Sequence, residues 1–174
     1  MPKPHTNTIV ALALSFCFAS VQAQTAPSAA EMVEQLKAQP PRTRSLRNLT
    51  VESAAPDGSI ASKPSLSLLI QFDFNSSTVK PESQQALANL AQALKSKELG
   101  ESKFAVEGHT DGKGRADYNL KLSQQRADAV RSFLASNGVV DARLQAVGKG
   151  ATELANTADP LAAENRRVRI VNLN

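Results

Sequence analysis

Tryptophan is absent from this chain, tyrosine and cysteine occur once each, and histidine occurs twice. A single cysteine cannot form an internal disulfide, so the fold must hold by core packing alone. With no tryptophan, one tyrosine and no aromatic–basic stripe, a base-stacking platform is excluded. The net charge is only +4, with both signs interspersed, which argues against nucleic acid as a partner. Histidine is too scarce for most catalysis. His5 lies at the N-terminus, so no serine or cysteine has a second histidine to activate it. His109, between Glu107 and Asp111, is weak as a metal site and reads as a structural or hydrogen-bonding residue. Gly148-Lys149-Gly150 lacks the Ser/Thr and the earlier glycine of a phosphate loop. A binding protein is expected, not an enzyme, with no cofactor and no metal.

What is present begins with an apolar run, IVALALSFCFASV, from Ile9 to Val21, after a polar start that carries Lys3. The run is short for a membrane span and ends in small residues, with Val21 and Ala23 where a signal peptidase reads. Residues 1–23 are therefore expected to be a cleaved export signal, which places the mature chain in the periplasm. Cleavage removes one lysine and no acid, leaving a net charge of +3. Cys17 follows the bulky Phe16 inside the apolar run, so lipid attachment there is not expected.

Residues 24–65 are rich in Ala, Pro and Ser. Pro40, Pro41, Pro56 and Pro64 interrupt any long element, so the segment reads as a linker. One stretch, residues 29–39, has Met32, Val33 and Leu36 on one side and can form a short helix, although one of that length is marginal alone. The folded domain is expected over residues 66–174. Leu66, Leu68, Ile70 and Phe72 alternate and predict a strand over 65–74. Pro81 suits a helix's first turn, and Leu87, Leu90, Ala91 and Leu94 follow helical spacing up to Gly100. A strand at 103–108, a helix at 117–136 ended by Asn137-Gly138, and strands at 144–147 and 166–173 complete the order. That order implies an α/β (α+β) two-layer sandwich, about four strands in a mixed sheet with two main helices on it.

The helix at 117–136 breaks its own pattern. At 100° per residue from Leu122, Phe133 falls at about 20°, Val130 at about 80° and Ala129 at about 340°. Arg126, at about 40°, sits among them, with Asn119 at about 60° and Ser123 at about 100°, while Gln124 and Asp128 point away. A desolvated guanidinium needs partners. Its planar donors suit a carboxylate. Asp111, in a loop with Gly108, Gly112 and Gly114 that leads into the helix N-terminus, offers the opposite charge. One negative and one positive pole describe a receptor for a zwitterion, such as an amino-acid head group.

GHTDGKG at 108–114, followed by Asn119, Leu122, Ser123, Arg126 and Ala127, resembles the signature of the OmpA-like peptidoglycan-binding domain family (the OmpA, Pal and MotB C-terminal domains). FDFNSS at 72–77 and NRRVRI at 165–170 resemble that family's first-strand end and terminal strand. The resemblance implies non-covalent binding of the Gram-negative cell wall through diaminopimelate in the peptide stem. It assigns the ligand's ammonium to Asp111 and its carboxylate to Arg126, with Asn75, Thr110, Asn119, Leu122 and Arg166 lining the pocket. Asn75 stands where many members have aspartate, and GKGATELANTADP departs from the family's glycine-then-proline pattern. The segment before the domain holds no strand series, so no barrel is expected there. The resemblance thus implies association with the cell wall or outer membrane. An alternative reading keeps the fold but makes it a partner-binding module of an envelope complex, docking through the Met32 helix or the basic residues Arg42, Arg44 and Arg47.

Overall fold

The computed structural model describes residues 26–37, 63–73 and 75–174. The expected signal at 1–23, Cys17 and the basic residues of the proline-rich stretch lie outside the described residues.

The helix expected near Met32 is present as α1, Ala29–Leu36, shorter than the stretch 29–39. Ser28 and Glu31 close a reciprocal capping box at its start. It does not stand alone. Met32 and Leu36 are fully buried in the common core, the Asn172 amide donates to the Leu36 carbonyl at 2.9 Å, and the Asn89 amide donates to the Pro27 carbonyl at 2.9 Å. Tertiary burial supplies what so short a helix lacks, so this part of the N-terminal segment belongs to the domain rather than to a linker.

Among the described residues four strands form one sheet in the order β1-β4-β2-β3, where β1 is Ser65–Leu68, β2 Phe104–His109, β3 Leu144–Gly150 and β4 Val168–Asn172. Only β2 and β3 are parallel, joined through α3, Ala116–Ser136; the other pairs are antiparallel. The second main helix, α2, Pro81–Leu94, begins at a proline, as its sequence predicts. Leu87, Leu90 and Leu94 from α2, Val130 and Leu134 from α3, and Phe104, Val106 and Ile170 from the strands meet in one core. The result is a sheet covered by helices, the two-layer sandwich expected.

The first strand is shorter than expected. Leu66, Leu68 and Ile70 are buried in alternation, yet pairing with β4 stops at Leu68. The Ile70 amide turns back to the Leu68 carbonyl at 3.1 Å, and the chain then closes a small hairpin held by a bridge between Phe72 and Val79. Alternation therefore recorded burial and not hydrogen bonding. Asn75 sits at the hairpin's end with φ 54°, a left-handed conformation that asparagine tolerates.

Candidate binding site

The site lies where this hairpin, α3 and the segment before β4 meet. A cleft of about 340 Å³ is lined by Leu69, Ile70, Gln71, Phe72, Arg126, Ala163 and Arg166. The Arg126 guanidinium lies over the Phe72 ring, 4.8 Å from its centroid, and its Nε donates to the Ser76 carbonyl at 3.1 Å. Among the described residues it has no carboxylate within ion-pair distance. Burial pushes its basicity down, opposed first by the Tyr118 phenol and then by Asp111, while the Arg166 charge pushes it down further. An arginine remains charged under such shifts, so the cleft holds a half-buried cation with donor capacity to spare.

Asp111 supplies the other pole. Its carboxylate is 17% exposed and accepts Arg166 Nη1 at 2.9 Å and the Lys113 amide at 3.2 Å. Arg166 itself is 47% exposed, and an ion pair open to water is worth about 1 kcal/mol or less. The Asp111–Arg166 contact is therefore easily exchanged.

Two asparagines shape the surrounding loops. Asn119 is buried, and its amide donates to the carbonyls of Asp111 and Lys113 at 3.4 and 3.0 Å, fixing the glycine-rich loop. Asn165 is fully buried and donates to the carbonyls of Asn156, Asp159 and Pro160 while accepting the Asn156 amide. Pro160 in turn accepts the Gly112 amide at 2.8 Å. The two loops are thus tied together beneath Asp111 and Arg166.

The residues expected in the pocket divide in three. Arg126 and Arg166 line the cleft, and Asp111 joins it through Arg166. Thr110 and Asn119 are buried behind it; the Thr110 amide donates to the Gly150 carbonyl at 2.9 Å, and its hydroxyl has no hydrogen-bond partner among the described residues. Asn75 is exposed at the hairpin tip beside Ser76, and Leu122 is half-buried on the flank of α3. Sequence reasoning missed Phe72 and Ser76 as the immediate neighbours of Arg126. Only their place in the FDFNSS stretch marked them.

The phase assigned to α3 needs correcting. The face it buries is Asn119, Ser123, Ala127, Val130 and Leu134, so Arg126 stands at the rim of that face rather than in its middle. Gln124, expected in solvent, instead accepts the Gly148 amide at 2.7 Å and donates to the Ala146 carbonyl at 3.4 Å, while Ser123 accepts the Gly150 amide at 2.9 Å. These side chains satisfy the free backbone edge of β3. Much of the helix's irregular polarity is therefore a seam between helix and sheet edge, and Arg126 alone of that set faces the cleft.

Behind the loop, the sheet face away from the helices carries Glu107, His109, Lys149 and Arg169. Among the described residues neither His109 ring nitrogen has a hydrogen-bond partner, and Nε2 lies 3.8 Å from Glu107, beyond ordinary hydrogen-bond distance. The His109 imidazole first, then Lys149 and Arg169, hold the Glu107 carboxyl below its ordinary value of 4.5. A depressed carboxylate stabilises the fold above the unfolded pKa, and that contribution is lost as pH falls through the folded one. Glu107→Gln is therefore expected to lower stability to urea at neutral pH, with the gap to wild type closing well below pH 4.5. An equal gap at both pH values would contradict this assignment.

Comparison with known proteins fits the same region. A profile described as OmpA family matches residues 71–168. The chain is similar to the peptidoglycan-associated lipoprotein of Pseudomonas aeruginosa, 35% identical over 122 residues that cover 68% of this chain and 71% of that protein. It is 42% identical over 101 residues to outer membrane protein A of Bordetella avium, covering 57% of this chain and about half (51%) of that protein. Among solved structures, the peptidoglycan-associated lipoprotein from Burkholderia pseudomallei superposes with a TM-score of 0.51 and 36% identity, over 67% of this chain and 95% of that one. The periplasmic domain of Helicobacter pylori MotB shares the fold, with a TM-score of 0.56 at 24% identity over 65% of this chain and 77% of that one.

Proposed function

This chain belongs to the OmpA family, and from that premise we propose that it binds cell-wall peptidoglycan non-covalently through the zwitterionic end of diaminopimelate in the stem peptide. The observation that carries the reading is Arg126, a cation in a cleft with no carboxylate partner among the described residues, near a carboxylate whose one ion-pair partner among those residues is an exposed arginine. A ligand's carboxylate takes Arg126 in the bidentate manner its fork allows. Its ammonium takes Asp111, and Arg166 swings out at small cost. The loops tied by Asn119 and Asn165 keep the two poles at fixed spacing. Binding of this kind tethers or organises the envelope without bond breaking, and the partner is the wall itself. The relatives named for association with peptidoglycan support the same reading.

Residues 1–23 act as the export leader that delivers the domain to the periplasm. Docking of an envelope protein on the Met32 helix is disfavoured, because Met32, Val33 and Leu36 are already buried against the domain's own core.

The test is sedimentation with purified sacculi. A wall-binding protein pellets with them and releases nothing. Release of soluble fragments would indicate an enzyme, and a protein that stays in the supernatant with intact sacculi would leave only the partner-module reading.

A further inference from the structure

Tyr118 is the chain's only tyrosine, stands in the first turn of α3 and is 45% exposed. Its neighbour Asn119 is tied to the carbonyls of Asp111 and Lys113, which holds the first turns of α3, Tyr118 among them, against the Asp111 loop. Tyr118, Leu122 and Arg126 are spaced four residues apart and form one row along α3. Side chains on a helix lean toward its N-terminus, so Arg126 inclines toward Leu122 and Tyr118. Leu120, the exposed apolar residue on the same turn, lies around the helix beside Gly150 and Thr152 and is not part of this row. A part-exposed aromatic ring and a half-buried leucine therefore continue the line of Arg126 toward the N-terminus of α3, where the Asp111 loop joins the helix.

We infer that Tyr118, backed by Leu122, is an additional wall of the binding site that packs against the aliphatic part of the peptide stem beyond its zwitterionic head. The inference rests on the proposed peptidoglycan function and extends it from a charge-reading site to one that also reads the attached peptide. A ring face suits methyl and methylene groups of a short peptide, whereas Asp111 and Arg126 recognise only the charged end. The hydroxyl is not required for such a contact.

Isothermal titration with two ligands separates the parts: free meso-diaminopimelate, which carries the head alone, and a stem peptide containing it. Tyr118→Ala is expected to weaken peptide binding about tenfold and binding of free diaminopimelate far less. Tyr118→Phe is expected to bind both as wild type does. Since tyrosine emission comes from Tyr118 alone, wild-type fluorescence should change with the peptide and not with the free amino acid. Unaltered peptide binding by Tyr118→Ala, an equal loss for both ligands, or a Tyr118→Phe variant as weak as alanine would each overturn the wall. If the wild type binds diaminopimelate but Tyr118→Ala loses nothing, only this inference falls. If the wild type binds neither ligand, the peptidoglycan function falls and the wall with it.

Discussion

Arg126→Ala is expected to weaken peptidoglycan binding by at least about thirtyfold while the domain stays folded. Truncating one partner of a desolvated, hydrogen-bonded charge pair costs about 2–5 kcal/mol, much of it from stranding the other charge. Here the stranded charge is the ligand's carboxylate, left in a cleft beside Phe72. Asp111→Ala belongs to the same expectation, because the ligand's ammonium would face Arg126 and Arg166 with no anion between them. Arg126→Lys is the sharper variant. Lysine keeps the charge but loses the planar pair of donors and the flat stack on Phe72, 4.8 Å away. It should bind nearly as poorly as alanine. Full binding by Arg126→Lys would mean that charge alone is read. Pelleting with sacculi gives the affinity, and circular dichroism confirms the fold of each variant.

The second large effect is on stability. A Cβ added at Gly108 would stand 2.2 Å from the Ser123 carbonyl oxygen, a backbone atom in the middle of α3 that cannot move aside. Gly108→Ala must push α3 off the sheet and disrupt the seam that Ser123 and Gln124 make with β3. Overpacking of this kind costs about 3 kcal/mol or more, a fall in melting temperature on the order of 10 °C for a domain of this size. Gly114→Ala is the comparison. Its φ of 94° disfavours a side chain, yet nothing lies within 4 Å of the added carbon, so the cost is the backbone penalty of about 1 kcal/mol. Equal melting temperatures for the two variants would show that close helix–strand approach is not what Gly108 provides.

The same contact explains what the sequence could and could not tell. The elements were legible because the large apolar residues of α2 and the strands keep their periods: Leu87, Leu90, Leu94, Phe104, Val106 and Ile170 all reach the core. On α3 that logic misplaced the buried face. Periodicity weights large side chains, so Leu122 and Phe133 drew the expected arc toward themselves. The tightest packing instead sets Ser123 against Gly108 and Gly148, with the small Ala127 buried on the same face, and leaves Leu122 and Phe133 at the rim. Arg126 was singled out as an anomaly, and its proposed role does not depend on that phase; its seat over Phe72 was not readable. That seat depends on the hairpin that bends away after Leu68, and alternation of Leu66, Leu68, Ile70 and Phe72 gives no sign of the bend. Asn165 was likewise out of reach, because its four hydrogen bonds go to a loop with no periodic pattern.

The central claim is that one site reads an ammonium and a carboxylate together. The most direct measurement is a titration of the full chain with two stem peptides that differ only at the third residue, meso-diaminopimelate in one and L-lysine in the other. Lysine keeps the side-chain ammonium and lacks the adjacent carboxylate. The account predicts that the diaminopimelate peptide binds and that the lysine peptide binds at least about thirtyfold more weakly, a gap that Arg126→Ala abolishes. Equal affinity for the two peptides, or a gap that survives Arg126→Ala, would contradict it.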